Sequence, residues 1–375
     1  MRVLSISTDA EILRPESPAA KRMAAYAQQV EALHVIVYTK SRDNGPACVE
    51  HSPRLFVYPT RTPQRFAFFR AAYTRGMQVL REGAGASWIL TTQDPFETGL
   101  VGAMIRRSVR IPWQIQVHTD FLNPAFRTSA LQRMRAWMGR VLIARADTIR
   151  VVSDRIKQSL IAVAPHLESR ITVLPIFVDT EAIAKHPGVV DVHADYPDRF
   201  PIILMASRIT SEKQIPLAIA AVARFATEYP RALLLIVGEG AEKERLQSFV
   251  RNTGAPAVFA PWVDGVFTHY KSADIFLNAS AFEGYGRTLV EAHAAGMTIV
   301  STDVGVARDV VAADADGVVV EQSTVASLAE GLRRVTTRLQ KGVRPKAMAR
   351  HQTFAPYVEK FVACWQATLD AANHK

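Results

Sequence analysis

The chain has 375 residues, 49% hydrophobic and 21% charged, which excludes a disordered protein and predicts two or three domains at roughly 150 residues each. The longest apolar runs are too short for a transmembrane helix, and the first residues become polar too early for a signal peptide. The two cysteines lack the spacing of a zinc site or a disulfide framework. We therefore expect a cytoplasmic protein with free thiols. Basic residues exceed acidic ones by 10, and the whole surplus lies in residues 1–178, which hold 24 basic and 13 acidic side chains.

Short apolar runs alternate with helical patterns along the chain, which is typical of parallel βα units. In the first half we predict strands at Val3–Ser7, His34–Tyr38, Leu55–Tyr58, Trp88–Thr91, Trp113–Val117, Thr148–Val152 and Ile171–Leu174. A connector and a polar, proline-containing stretch follow Pro175. They predict a domain boundary near residue 178.

Two basic stretches with helical spacing stand out in the first half, Arg61–Arg81, which includes Arg65, and Arg127–Arg145. Their apolar positions are Phe66, Phe69, Tyr73 and Leu80 in the first stretch and Leu131, Met134, Met138 and Val141 in the second. Such helices either pack on their own sheet with solvated arginines or lie on an anionic membrane. The charge of the whole half favours a membrane-surface role.

A second series of strands begins after the connector. It comprises Ile202–Ala206, Ala232–Val237, Ala257–Phe259, Ile275–Asn278, Thr298–Ser301 and Gly317–Val320. The last segment, Tyr357–Asp370, has an apolar helical face. We therefore predict an α/β fold of two doubly wound parallel-sheet domains, with ligands bound in the cleft between them. The predicted segments are 1–178, 179–355 and a final helix, 356–375, that crosses back to the first domain.

Two loops of the second half follow strands and fit a phosphate ligand. Arg208 and Lys213 stand five residues apart after one strand, where a planar guanidinium and a compact ammonium can converge on a diphosphate. Gly238 opens a Gly-x-Gly after the next strand, where glycine lets a ligand approach the backbone. A solvated loop and a simple tight turn are the structural alternatives.

A third motif places Glu283 and Glu291 eight residues apart, with glycines between them. If the glycine segment is a loop and a helix begins near Arg287, Glu283 precedes the helix and Glu291 lies on its second turn. The first amides of that helix would then face an anion. Alternatively, one glutamate caps the helix and the other is solvated.

Taken together, these motifs resemble the retaining glycosyltransferases of the GT-B fold in glycosyltransferase family four. The resemblance covers most of the chain and is closest over residues 283–296. It implies that Arg208 and Lys213 hold the donor diphosphate, Glu283 contacts the transferred sugar and Glu291 binds the ribose. It also implies that the loop and helix start offer backbone amides to the phosphates from Gly286, Arg287, Thr288 and Leu289. Arg287 departs from the family pattern, which often has an aliphatic residue there.

In the first half, His118 ends a candidate strand and resembles the family's active-site histidine, which either hydrogen-bonds a sugar hydroxyl or assists proton transfer. Asp120 is a candidate acceptor contact, and Asp94 is either an acceptor contact or a helix cap. Many relatives carry a glycine pair after the first strand. This chain has none there, which puts the donor contact of the first domain in doubt.

The resemblance implies a retaining glycosyltransferase that uses a UDP- or GDP-sugar without a metal or other cofactor. Cations and helix amides can stabilise the departing diphosphate. The basic first half favours a lipid-linked or cell-surface glycan precursor as acceptor at the inner membrane face. A small soluble acceptor, or a non-catalytic module that binds sugars or polyanions, is the alternative. We expect no nucleic-acid partner, because the aromatic residues among the arginines have the spacing of core positions.

Overall fold

The computed structural model describes residues 1–40, 46–64, 66–261, 266–345 and 353–373, so Arg65 lies outside the described residues. The chain divides into two compact units. Unit 1 comprises residues 1–175 together with 354–375, and unit 2 comprises residues 176–353. The predicted segments placed the first boundary after residue 178 and began the final helix at residue 356.

Unit 1 is an eight-stranded sheet with helices. Its strands are β1 Arg2–Ser7, β2 Ala32–Val37, β3 Val49–Ser52, β4 Leu55–Pro59, β5 Trp88–Thr92, β6 Trp113–Val117, β7 Thr148–Val151 and β8 Ile171–Val173. Its helices in the first part of the chain are α1 Pro18–Gln28, α2 Ala67–Glu82, α3 Glu97–Ser108, α4 Ala130–Ile143 and α5 Asp154–Val163. Short 3₁₀ turns span Ala10–Leu13 and Pro165–Arg170.

The strand order of unit 1 is β3-β4-β2-β1-β5-β6-β7-β8. Every neighbouring pair is parallel except β3 and β4. The order reverses between β1 and β5, so the chain leaves those two strands in opposite directions. Such a switch point opens a crevice at the carboxyl ends of the strands, where ligands bind in open α/β sheets.

The sequence prediction missed β3 and left open whether the apolar stripes of two helices pack on the sheet or stay exposed. Strand β3 is a short polar edge strand, with no apolar run to reveal it. Helix α2 buries Phe68 and Ala72, whereas Phe66, predicted in its apolar stripe, is 70% exposed. The predicted stripe of α4 is also largely outside the core. Its buried face comprises Ala136, Gly139, Leu142 and Ile143.

The last helix, α14 Phe354–Asn373, belongs to unit 1. It buries Val358, Phe361, Trp365 and Leu369, which lie on the apolar face predicted within Tyr357–Asp370. The Phe361 ring stacks on Tyr26 of α1 with ring centroids 4.2 Å apart. These contacts make α14 part of the core of unit 1, although the whole of unit 2 separates it from β8 in the sequence.

Unit 2 is a six-stranded parallel sheet. Its strands are β9 Ile202–Ala206, β10 Leu233–Val237, β11 Ala257–Ala260, β12 Ile275–Asn278, β13 Thr298–Thr302 and β14 Gly317–Val320. Its helices are α6 Thr180–Lys185, α7 Val192–Asp195, α8 Ile215–Phe225, α9 Lys243–Thr253, α10 Phe267–Ser272, α11 Arg287–Ala294, α12 Ala307–Val310 and α13 Val325–Gln340, and a 3₁₀ turn spans Ser211–Lys213.

The strand order of unit 2, β11-β10-β9-β12-β13-β14, is that of dinucleotide-binding sheets. Successive residues of each strand pack into different cores: Ile203 and Met205 of β9 belong to one cluster, and Ile202 and Leu204 to the other. Helices therefore cover both faces, which explains the continuous apolar strands. The switch point lies between β9 and β12, so the loops after these strands flank the expected ligand crevice.

Across the described part of the chain, no helix combines the length and the apolar character needed to span a membrane.

Candidate functional site

The loop that follows β9 packs directly on the loop that follows β10. A Cβ atom added to Gly238 would lie 1.9 Å from the carbonyl oxygen of Ser207, and one added to Gly240 would lie 2.2 Å from that of Ile209. The Ile209 amide donates a hydrogen bond of 2.8 Å to the Glu239 carbonyl oxygen. Gly238 thus has an evident role in holding the loop of Arg208, and its predicted contact with a donor stays a prediction.

Lys213 and Glu283 meet across the switch point of unit 2. The Lys213 Nζ lies 2.5 Å from the Glu283 Oε1, and both side chains are about 85% buried. The amide of Ala281 donates to the Glu212 carbonyl oxygen at 2.8 Å, which joins the two loops through their backbones. Ser280 Oγ lies 2.8 Å from the same Glu283 oxygen. The structure therefore brings together two candidate residues that are 70 positions apart.

Arg208 is held only weakly. Its side chain is 77% exposed and contacts Glu212 at 3.3 Å. An exposed pair of this kind contributes little to stability and leaves the guanidinium able to turn toward a ligand. Arg208 is thus available at the carboxyl edge of the sheet, beside the more buried Lys213.

The residue after Lys213 has a strained backbone. Gln214 has a φ of 47° and a ψ of 42°, in the left-handed region that favours glycine. Within the described ranges, the Gln214 Oε1 is buried without a hydrogen-bond partner, as are the Ser207 and Thr210 hydroxyls of the same loop. Unsatisfied polar groups and backbone strain cluster at functional sites, and here they surround the two candidate cations.

Helix α11 begins at Arg287, as the motif predicted. Gly286 precedes it with a φ of 90°, a conformation that a β-carbon would disfavour, and no side chain caps the helix. The amide of Leu289 donates to the Gly286 carbonyl oxygen at 3.0 Å. Of the predicted phosphate-binding amides, that of Leu289 is thus already engaged within the first turn.

Glu291 is buried on the second turn of α11 and already has two partners. Its Oε1 accepts from the Arg287 Nε at 2.6 Å, and its Oε2 accepts from the Tyr270 hydroxyl at 3.4 Å. Burial raises the pKa of Glu291, and the Arg287 charge opposes that rise. The arginine that departs from the family pattern therefore pairs with the predicted ribose-binding glutamate.

His118 follows β6 in unit 1, and β6 is the neighbour of β5, one of the two strands that flank the switch point of that sheet. Its Nε2 lies 3.1 Å from the Gln116 Oε1 and 3.5 Å from the Arg150 Nη1. Burial, together with the charges of Arg150 and Arg22, lowers the pKa of His118 to about 3. The imidazole is neutral at physiological pH, which favours a hydrogen bond to a hydroxyl over a role as a proton donor.

The two candidate acceptor carboxylates, Asp120 and Asp94, are bonded within unit 1. The Asp120 Oδ2 accepts from the Ser159 hydroxyl at 3.1 Å, and burial raises the pKa of Asp120. The Asp94 Oδ1 accepts from the amides of Phe96 and Thr98 at 2.7 and 3.3 Å, at the start of α3. These bonds support the helix-cap alternative for Asp94. Contact of either residue with an acceptor stays a prediction.

The loop after β1, which lacks the glycine pair, is tied to the loop after β5. The Gln93 Oε1 accepts from the Thr8 amide at 2.8 Å and lies 2.6 Å from the Ser7 hydroxyl oxygen. A polar turn thus occupies the switch point of unit 1. Sequence reasoning singled out neither Gln93 nor the partners of His118, because only the fold brings them together.

No group of three or more His, Cys, Asp or Glu side chains within the described ranges is arranged to hold a metal ion.

Comparison with known proteins assigns both halves of the chain. The family model "Glycosyltransferase Family 4" matches residues 20–182, and "Glycosyl transferases group 1" matches residues 193–352. The chain belongs to the glycosyltransferase family that these two models together describe. The alpha-monoglucosyldiacylglycerol synthase of Acholeplasma laidlawii is 25% identical to this chain over 255 residues, which are 63% of this chain and 62% of the relative. The chain spans between 41% and 62% of the length of three such relatives.

Solved structures establish the GT-B fold. Sucrose-phosphate synthase from Thermosynechococcus elongatus has a TM-score of 0.73 at 18% identity, and the alignment covers 99% of this chain and 100% of the synthase chain. Anabaena Alr3699/HepE in complex with UDP-glucose has a TM-score of 0.71 at 16% identity, covering 100% of both chains. At these sequence identities the comparisons show a shared fold and do not identify the substrates of this chain.

Replacement of Gln214 by glycine is expected to stabilise unit 2 by about 1 kcal/mol, because glycine adopts the left-handed backbone without strain and removes a buried unpaired oxygen. The urea midpoint of the full chain measures this. Gln214→Ala, which keeps the β-carbon, is the control and should not match the gain. A urea midpoint of Gln214→Gly at or below that of the wild type would contradict the inference that the backbone of Gln214 is strained.

Asp94→Asn is expected to flatten part of the pH dependence of stability. Burial, with a smaller contribution from Glu97, raises the pKa of Asp94 from 3.8 to about 6, so the folded state holds the proton more tightly than the unfolded state. Stability from this group is therefore present below about pH 4 and lost as the pH rises toward 6. The asparagine keeps the capping oxygen and should gain on the order of 2 kcal/mol over the wild type at pH 7.

Urea midpoints at pH 4 and pH 7 test this, with Asp154→Asn, an exposed carboxylate at the start of α5, as control. An advantage of Asp94→Asn that is equal at both pH values would contradict the assignment.

Proposed function

We propose that this glycosyltransferase is a retaining, metal-independent enzyme that transfers a sugar from a nucleotide-diphosphate sugar to a lipid-linked or cell-surface glycan precursor. The contact between Lys213 and Glu283 carries the proposal. It places a cation suited to a diphosphate beside a carboxylate suited to sugar hydroxyls, at the switch point where this sheet type binds nucleotides.

The donor would lie along the carboxyl edge of unit 2. Arg208 and Lys213 would contact the diphosphate, and the amides of Arg287 and Thr288 at the start of α11 would face its oxygens. Glu283 would accept hydrogen bonds from the transferred sugar. Glu291 would bind the ribose through lone pairs that Arg287 and Tyr270 leave open, since a carboxylate has about four acceptor positions.

Transfer breaks the bond between the anomeric carbon and the diphosphate oxygen. Positive charge develops on the sugar and negative charge on the leaving diphosphate. The acceptor oxygen forms the new bond to the anomeric carbon, and its proton passes to the departing diphosphate. Arg208, Lys213 and the helix amides stabilise the anion as it forms, which is the function that a divalent cation serves in other transferases. The retaining outcome rests on the family resemblance. UDP-glucose in the Anabaena structure supports a UDP-sugar as donor.

The acceptor assignment rests on unit 1. The charge surplus of residues 1–178 favours an anionic surface. Helix α4 presents Leu131, Met134 and Trp137 on its surface, with exposed fractions of 49%, 53% and 66%, among several arginines. An exposed apolar ridge that includes tryptophan and is flanked by arginines fits the interface of an anionic bilayer. The name of the Acholeplasma laidlawii relative, which specifies a diacylglycerol glycolipid, supports a lipid acceptor.

Donor binding is tested by thermal shift of the full chain with UDP, GDP, ADP and their common sugar conjugates, in EDTA. We expect one nucleotide to raise the melting temperature, with the shift lost in Glu291→Ala, and transfer to be abolished in Lys213→Ala and Arg208→Ala without unfolding. Arg245→Ala, which removes a 69% exposed arginine of the same unit, is the control. No shift with any nucleotide, or full transfer by Lys213→Ala, would refute the donor site.

Membrane contact is tested by sedimentation with vesicles of neutral or anionic phospholipid at low salt. The wild type should bind anionic vesicles, and Trp137→Gln should reduce binding roughly five- to tenfold, because the indole no longer enters the interface. Phe249→Gln, at a 43% exposed aromatic residue of unit 2, is the matched control and should bind as the wild type does. Equal partition of the wild type between neutral and anionic vesicles would refute the contact.

A further inference from the structure

The most unusual side chain of unit 1 is the buried Arg150 of β7, which is 2% exposed. Among its described partners there is no carboxylate. Its Nη2 donates to the Leu174 carbonyl oxygen at 3.0 Å and to the Tyr357 hydroxyl at 3.3 Å. Its guanidinium carbon lies 4.6 Å from the centroid of the Phe361 ring. A buried charge without an anionic partner is costly to the fold and calls for a functional explanation.

The other end of the guanidinium faces the candidate active-site histidine. The Arg150 Nη1 donates to the Gln116 Oε1 at 2.9 Å and lies 3.5 Å from the His118 Nε2. The His118 Nε2 in turn lies 3.1 Å from the same Gln116 oxygen. One amide oxygen thus lies between an arginine and a histidine.

Arginine decides the direction of its bond with Gln116, because a guanidinium only donates. The His118 Nε2 lies closer to the Gln116 oxygen, at 3.1 Å, than to the Arg150 Nη1, at 3.5 Å, so we take the contact with Gln116 as the hydrogen bond of this nitrogen. The Gln116 atom beside Arg150 must be its oxygen, since the amide nitrogen would place two donors together at 2.9 Å. An oxygen in that position accepts from the His118 Nε2 only if this nitrogen carries the proton. The His118 Nδ1 then has a free lone pair, and it has no hydrogen-bond partner among the described residues.

The rest of the polar chain agrees with this direction. The Gln116 Nε2 donates to the Thr91 hydroxyl at 3.0 Å, and that hydroxyl donates to the Gln114 Oε1 at 3.3 Å. The Gln114 Nε2 donates to the Cys364 carbonyl oxygen of α14 at 3.0 Å. Each amide keeps its oxygen and nitrogen in the orientation that Arg150 requires, so β5, β6, β7 and α14 share one ordered network.

We propose that Arg150 is a positioning residue that, through Gln116, fixes His118 as the tautomer protonated on Nε2 and so presents Nδ1 as acceptor to a substrate hydroxyl. The part that concerns substrate rests on the proposed function. The charges that face the imidazole are those of Arg150 from β7 and Arg22 from α1, and both keep it neutral. A neutral ring with a fixed tautomer accepts one hydrogen bond in one direction, which suits orientation of a sugar hydroxyl.

The test is ¹⁵N NMR of the histidine rings in the full chain, with the His118 signals assigned by their loss in His118→Gln. The wild type should show a neutral ring protonated on Nε2 that does not titrate between pH 5 and pH 8. Arg150→Met should raise the pKa of His118 by about one unit and populate the Nδ1-protonated tautomer. Arg150→Lys keeps the positive charge but loses the planar guanidinium and its two donor nitrogens. The pKa of His118 should therefore stay low in this variant, while both neutral tautomers become populated.

Kinetics separate positioning from general damage. Arg150→Lys should lower kcat roughly tenfold and leave the donor KM within about twofold, because the proposed contacts with the nucleotide and the diphosphate belong to unit 2. Arg107→Met, at an exposed arginine of α3, is the control and should change neither the tautomer nor kcat. If Arg150→Met does not fold, Arg150→Lys decides. A single Nε2-protonated tautomer in a folded Arg150→Lys protein would overturn the proposal.

His118→Gln distinguishes this inference from the proposed function. If His118→Gln transfers sugar at the wild-type rate, the assigned role of His118 in transfer is wrong, whatever its tautomer. If His118→Gln is inactive and both Arg150 variants keep the wild-type tautomer, the role of His118 stands and the positioning by Arg150 is wrong.

Discussion

The backbones of the loops after β9 and β10 lie so close together that no side chain fits between them, and the candidate donor site depends on this contact. Gly238 and Gly240 permit it. The loop of Arg208 and Lys213 is then held on one side by the Glu239 carbonyl and on the other by the Ala281 amide. Two backbone attachments leave the segment little freedom, and the strained Gln214 lies where the chain turns from this loop into α8. The position of Lys213 beside Glu283 follows from backbone packing.

Charge in unit 2 is arranged in pairs that differ in burial. Lys213 and Glu283 are both mostly buried, whereas Arg287 is 56% exposed and its partner Glu291 is 6% exposed. An ion pair held in a low dielectric is strong only while both partners stay together. A diphosphate brings two or more negative charges, so in the proposed donor site it would compete with the glutamates for Lys213 and for Arg287. Each glutamate would then gain acceptor capacity for hydroxyl groups of the same ligand.

Much of the architecture was predictable because fully buried parallel strands appear in the sequence as continuous apolar runs. The start of α11 followed from the glycines before Arg287, whereas the contact of Lys213 with Glu283 became evident only from the strand order and the switch point. The polar edge strand β3 and the exposed Trp137 carry no such pattern. Arg150 was unpredictable in principle: its partner Tyr357 is 207 residues away, and a lone arginine in a strand looks solvated until the tertiary contacts are known.

The membership of α14 in unit 1 has a consequence for how the chain folds during synthesis. Residues 176–353 form a complete unit and emerge from the ribosome before residues 354–373 do. Until that last helix arrives, Tyr26 lacks the ring it stacks on, and the Arg150 guanidinium lacks the Phe361 face and the Tyr357 hydroxyl. The first unit to be translated is therefore the last to be completed, and the environment of His118 is set only at that final docking step.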